Sequence, residues 1–154
     1  MLAMHVSDLD LASIRSLEDP HVGCDVTFPI FAATGSAASA VVYFEVPVGG
    51  RLGRHTDSSE EIILILDGEA EAEVNGERGR LSRGGLALIP AMAPHDIYNV
   101  GDTPVRVVGF FAGSTLVHRF FEPLVPGAAE TVIVNGPEGQ TILGATPVGA
   151  PAPA

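Results

Sequence analysis

Along residues 69–74, acidic and apolar positions alternate one by one: Glu69, Glu71 and Glu73 against Ala70, Ala72 and Val74. Successive side chains of a strand point to opposite faces, so this run predicts a strand with one wet face and one buried face. Asn75-Gly76 follows, a pair that readily accepts positive φ, and predicts a type I′ hairpin into Glu77-Arg78-Gly79-Arg80-Leu81. The same grain continues from about residue 21 to residue 134, as short apolar runs broken by Gly, Pro, Asn or Asp every eight to twelve residues. It predicts strands over 25–31, 39–46, 61–66, 69–74, 77–81, 86–89, 95–100 and 105–112, with weaker candidates at 116–120 and 131–134. The fold class expected is all-β, a single antiparallel barrel over 21–134, with no internal repeat.

Both ends read differently. Residues 1–20 form a leader in which Ser7 can cap a short helix, Leu11, Ile14 and Leu17 recur at helical spacing, and Pro20 ends it. Residues 135–154 read as an extension, and the last eleven, GATPVGAPAPA, are rich in Pro, Ala and Gly and are expected to be disordered.

Composition narrows the function classes. A chain of 154 residues is the length of one domain and can bury a core without disulfides. Cys24 is the only cysteine, so no intramolecular disulfide can form, and a reducing, cytoplasmic setting is expected. The first positive charge is Arg15, after Asp8 and Asp10, which does not fit a secretory leader. No apolar run is long enough to span a bilayer, so no membrane role is expected. Lysine is absent, the eight arginines are scattered, and the net charge of −11 would repel nucleic acid. No Gly-x-Ser-x-Gly elbow marks a serine hydrolase. The Gly-rich stretch at 49–54 lacks the Lys-Ser/Thr ending of a phosphate loop.

Two spaced constellations carry the chemistry. The first runs Gly49, five residues, His55, one residue, Asp57, three residues, Glu61, six residues, Gly68. The second runs Gly84, five residues, Pro90, four residues, His95, three residues, Asn99. His55, Asp57 and Glu61 share odd numbering, so strands joined by a tight turn can aim all three at one interior point, with His95 arriving from a later strand. A carboxylate buried in an apolar barrel must neutralise itself or find a cation, and a divalent ion meets that need.

This pair of motifs resembles the signature of the cupin superfamily, whose first motif supplies two histidines and a glutamate and whose second supplies a further histidine. The resemblance is close over 49–99. It implies a jelly-roll β-barrel with one divalent metal ion as cofactor, held by His55, Glu61 and His95. Two residues depart from the pattern. Asp57 stands where the second histidine belongs, and reaches the metal directly or through a water. Met92 replaces a glycine and is expected to fill space near the pocket floor. Two imidazoles with one or two carboxylates favour iron(II) or manganese(II), with nickel and zinc also open.

Strand alternation sketches the cavity. With Glu45 and Arg106 outward, Val42, Phe44, Val46, Val105, Val107, Gly109 and Phe111 face inward, beside Ile63 and Ile65. Such a pocket suits a small apolar or aromatic molecule with a metal-coordinating oxygen, and suits a phosphorylated sugar poorly. Ordinary structural roles are assigned to His5, His21 and His118, to Glu60 and Asp96 facing away from the site, to Asn99 on a turn backbone, and to an inert Cys24.

The resemblance therefore implies a dioxygenase acting on a small enolic or phenolic compound, similar to the quercetin dioxygenases, with Glu61 as the catalytic base. The alternatives are a non-redox metal-dependent lyase or isomerase, and a non-catalytic small-molecule binder. A homodimer is expected, paired through outward Tyr43, Ile62 and Leu64.

Overall fold

Each strand of this chain has one side apolar enough to need covering, and two sheets facing each other provide the cover. The computed structural model describes residues 1–145. Among them, the strands in chain order are β1 (Ala12–Arg15), β2 (Gly23–Ile30), β3 (Ala40–Val46), β4 (His55–Asp57), β5 (Glu61–Asp67), β6 (Ala70–Val74), β7 (Glu77–Leu81), β8 (Leu86–Ile89), β9 (His95–Asn99), β10 (Val105–Phe111), β11 (Leu116–Phe120), β12 (Glu130–Gly136) and β13 (Gly139–Ala145). One sheet runs β1-β2-β3-β10-β5-β8 and the other β13-β12-β11-β4-β9-β6-β7, with every strand pair antiparallel. This is the expected all-β jelly roll.

The alternation inferred from sequence decides which side chains meet. Val42, Phe44, Val46, Ile63, Ile65, Val105, Val107 and Phe111 from the first sheet pack inward against Ala70, Ala72, Ile97 and Leu116 from the second. Each large aliphatic or aromatic side chain in this layer contributes about 1.5–3 kcal/mol by leaving water. The hairpin from β6 to β7 turns on Asn75 (φ 51°) and Gly76 (φ 82°), as its sequence requires. Gly68, at φ 86°, lets the chain leave β5 where any Cβ would lie 2.7 Å from the Pro104 carbonyl.

The ends differ from expectation. No α-helix forms in residues 1–20; Val6–Asp8 is a single 3-10 turn, capped by His5 rather than Ser7. Leu11, Ile14 and Leu17 are too few to hold a helix in water. The segment instead adds to the open edge of β2 as β1, with Ile14 opposite Cys24. At the other end the barrel does not stop at 134. β12 runs to Gly136 and pairs with β13 from Gly136↔Gly139 to Glu130↔Ala145. Of the eleven residues expected to be disordered, Gly144 and Ala145 end β13, and 146–154 lie outside the described residues.

One outward residue is also corrected. Ile62 is exposed and Leu64 half-buried, but Tyr43 is 2% exposed. Its hydroxyl donates to Glu45 Oε1 (2.6 Å) and accepts from Arg106 Nε (2.8 Å). Among the described residues, no helix is long and apolar enough to cross a membrane.

Candidate metal centre

The three residues of β4 lie between β11 and β9, with His55 paired to His95 on one side and Asp57 paired to His118 on the other. Alternation turns His55 and Asp57 inward together. The chain then crosses to the opposite sheet through Ser58–Glu60, pinned where Ser58 N–H donates to the Val117 carbonyl and Ser58 Oγ accepts from Val117 N–H (both 2.9 Å). Glu61, the first residue of β5, thus enters the same space from the facing sheet. Its carboxyl fits because residue 109 has no side chain: a methyl there would overlap Glu61 Oε1 and come within 2.7 Å of Val42 Cγ1.

All four residues singled out by spacing converge. Asp57 Oδ2 lies 3.2 Å from His95 Nε2 and 3.7 Å from His55 Nε2, and Glu61 Oε2 lies 3.6 Å from His95 Nε2. The donor atoms of His55, Asp57 and His95 all fall within 4.8 Å of one another, the spacing of ligands around one ion. Each ring is aimed by its far nitrogen: His55 Nδ1–H donates to the Gly53 carbonyl and His95 Nδ1–H to the Ala93 carbonyl, both at 2.8 Å. In the neutral rings, those bonds leave both Nε2 atoms as lone pairs directed inward. Phe120 stacks on His55, 4.4 Å between centroids and 10° from parallel, and fixes the ring plane.

Two buried polar atoms stand without hydrogen-bond partners among the described residues: Asp57 Oδ2 and His95 Nε2. Buried polar atoms are nearly always satisfied, so this facing pair, 3.2 Å apart, calls for a proton or a cation between its two atoms. A carboxylate oxygen and an imidazole nitrogen are what a divalent ion takes. His55, Asp57 and His95 can therefore hold a single metal ion.

The electrostatics show what the cluster does by itself. Burial pushes His55 down to about 3, assisted by the neighbouring His95. Burial would also lower His95, but the carboxylates of Asp57 and Glu61 raise it to about 10. Burial raises Glu61, and the charge of Asp57 adds to the rise. Burial works to raise Asp57 as well, but His55 and the donors His118 and His95 outweigh it and hold this carboxyl well below the ordinary range. The ion-free cluster thus keeps a proton on His95, facing an ionised Asp57.

The cluster lines an interior cavity of about 50 Å³. Its other walls are aromatic and aliphatic, with Phe28, Phe44, Phe111 and Phe120 among them, and no arginine lines it. Cys24 also faces it, and burial pushes this thiol up to about 12, which suits the inert role expected.

Residues 42–111 match the family model described as Cupin domain. Those residues, from β3 through β10, form a cupin domain. Within a 64-residue alignment, the chain is 34% identical to the uncharacterized protein MJ1618 of Methanocaldococcus jannaschii, over 41% of this chain and 51% of that one. The match thus spans about half of that relative's length. Among solved structures, a protein proposed to be a sugar phosphate isomerase from Acidithiobacillus ferrooxidans superposes with a TM-score of 0.60 at 14% identity, covering 94% of this chain and 90% of that one. Oxalate decarboxylase from Lactobacillus farciminis, in a formate complex, superposes with a TM-score of 0.60 at 23% identity, over 71% of this chain and 32% of that one. Likeness at these identities shows the fold alone.

Against the cupin pattern, the two departures take definite shapes. Asp57 reaches inward despite its length. Met92 does not fill the pocket floor: it is 61% exposed and takes φ 64°, the conformation for which the family uses glycine. It is placed there because its N–H donates to the Asp57 carbonyl (2.7 Å) and so ties the 90–94 turn to β4. Asn99 does bond turn backbone, donating to the Val46 and Thr103 carbonyls. Asp96 faces away from His95 as expected, yet is buried, taking bonds from Arg51 and from the N–H groups of Gly53 and Ile97. The residue that spacing missed is His118. It is 3% exposed, and its Nδ1–H donates to Asp57 Oδ1 at 2.6 Å. The available signal was the alternation Leu116, His118, Phe120, which puts the imidazole on the inward face of β11.

Proposed function

We propose that this cupin is a metal-dependent dioxygenase for a small, uncharged enolic or phenolic compound, with His55, Asp57, Glu61 and His95 holding one divalent ion. The observation that carries the reading is the facing pair Asp57 Oδ2 and His95 Nε2, without a hydrogen bond between them, in the wall of an apolar cavity. When bound, iron(II) or manganese(II), favoured by two carboxylates beside two imidazoles, would supply Lewis acidity and a route for dioxygen chemistry. The apolar walls exclude water and select an uncharged body. A space of about 50 Å³ supports the small end of the substrate class. Glu61 is the base: burial raises its proton affinity, so its carboxylate, once it releases the ion, can take the substrate's hydroxyl proton.

Metal analysis of freshly purified protein, followed by oxygen-uptake assays on a panel of small enols and phenols, tests the proposal. Iron or manganese with oxygen consumption is the expected result. Zinc, with turnover unchanged in the absence of air, would replace it with a lyase or isomerase, a reading that the raised proton affinity of Glu61 also serves. We further propose a homodimer through the outer face of β5, where Ile62 is exposed. Light scattering that reports a monomer at micromolar concentration removes that proposal.

A further inference from the structure

Beside Asp57, from its cross-strand neighbour His118 in the wall of the same cavity, a chain of buried hydrogen bonds runs through residues that the cupin match at 42–111 does not include. His118 Nδ1 meets Asp57 Oδ1 at 2.6 Å. His118 Nε2 meets Asn135 Nδ2 at 3.0 Å. Asn135 Oδ1 in turn accepts from Gln140 Nε2 at 2.8 Å. Asn135 is fully buried, His118 nearly so, and Gln140 reaches the surface.

The direction of these bonds follows from the chemistry of the groups. Gln140 donates to Asn135 Oδ1, which fixes the Asn135 amide with its NH₂ toward His118. An amide NH₂ can only donate, so His118 Nε2 accepts and the ring proton sits on Nδ1. That proton is donated to Asp57 Oδ1, which leaves Oδ2 as the free oxygen, 3.2 Å from His95 Nε2 and 3.7 Å from His55 Nε2. The ring cannot tilt out of this alignment, because Phe28 (5.0 Å between centroids) and Phe111 (5.6 Å) flank it.

We infer that His118, oriented by Asn135, is a positioning residue that makes Asp57 a one-oxygen metal ligand, so that the imidazole missing from position 57 serves from the strand beside it. The inference rests on the metal-centre reading above. A short, rotatable carboxylate could otherwise swing away from the ion or turn both oxygens toward it. One strong bond to Oδ1 removes both choices. Outer partners of this kind typically change metal affinity 10- to 100-fold when lost.

Titrating the full chain with manganese(II), followed by calorimetry, separates the possibilities. His118→Phe keeps a ring between Phe28 and Phe111 but has no donor, and should weaken manganese(II) binding by about 10- to 100-fold. His118→Asn places an amide N–H near the lost Nδ1–H and should recover most of that loss, which a purely structural role would not allow. If the unsubstituted chain binds manganese(II) and His118→Phe binds it equally well, the inference fails while the metal centre stands. If the unsubstituted chain binds no divalent ion, both fail. A measurement without any variant gives an independent check. Long-range ¹H–¹⁵N correlation should show His118 as the Nδ1–H tautomer, and an Nε2–H tautomer overturns the assignment even if His118→Phe does not fold.

Discussion

The two ends of the seven-stranded sheet solve opposite problems with the same alternation. At one end, β6 and β7 present Ala70 and Ala72 to the interior, while Glu71 and Glu73 stay outside and pair with Arg78 at 3.0 and 2.6 Å. At the other, β4, β11 and β12 present His55, Asp57, His118 and Asn135 to the interior. The first end is held by removing apolar surface from water and tolerates change on its wet side. The second buries polar groups, which is stable only when each finds a partner. The partners are found in series, from Gln140 inward, until the series ends on Asp57, whose other oxygen faces His95 Nε2 at 3.2 Å across a gap that a proton or a metal ion can fill. A functional site here is a place where the sheet's hydrogen bonding is deliberately left unfinished.

The largest effect expected from breaking this contrast is at His95. His95→Ala should abolish metal retention, while far-UV circular dichroism stays native because the aliphatic and aromatic layer does not need the ion. Full occupancy in this variant would refute the ligand assignment. Acidity comes next. With His95 raised to about 10 against 6.5 in the unfolded chain, its contribution to ion-free stability is complete below pH 6.5 and disappears as pH rises toward 10. With His55 lowered to about 3, the unfolded chain binds a proton that the folded one does not, so stability also falls from pH 6.5 toward 3. Ion-free protein should therefore resist denaturant best near neutrality. Because the ion must displace the proton on His95, apparent affinity should climb about tenfold per pH unit above neutrality, and a flat profile would contradict this.

Smaller effects sharpen the same comparison. Gly109→Ala puts a methyl group where Glu61 Oε1 lies, and overpacking of this kind should lower stability by about 1–3 kcal/mol in urea denaturation. It should also impair turnover more than metal uptake, since Glu61 is displaced while β4 and β9 are untouched. Turnover retained in full would remove Glu61 from the proton-transfer role. Smallest of all, Arg78→Ala at the apolar end breaks two exposed ion pairs and should leave both the unfolding midpoint and metal binding unchanged. A measurable loss there would mean that the two ends are not independent.

The same contrast explains what could be read from the chain beforehand. The β6–β7 hairpin was fully legible, because alternation and Asn75-Gly76 are local signals. The convergence of His55, Asp57, Glu61 and His95 was legible because family spacing records a three-dimensional point as a string of intervals. His118 was not, since an inward imidazole on a short strand reads like any core histidine, and its partner Asp57 is 61 residues away. Residues 1–20 misled for the converse reason: Leu11, Ile14 and Leu17 have helical spacing, but the open edge of β2 offers that segment more than an isolated turn can. At the other end, β13 exists by virtue of its pairing with β12, and no pattern within residues 139–145 announces it alone.

Cys24 gives the molecule a clock. Its thiol sits in the cavity wall, 5% exposed and pushed up to about 12, so a soluble thiol reagent cannot reach a reactive form of it in the closed barrel. Labelling must wait for β2 to part from its neighbours, and the rate of modification under native conditions then reports how often the barrel opens. Since an ion held between the two sheets would bind only the closed form, loading the centre should slow that clock, and the degree of slowing measures how firmly the metal ties the sandwich together.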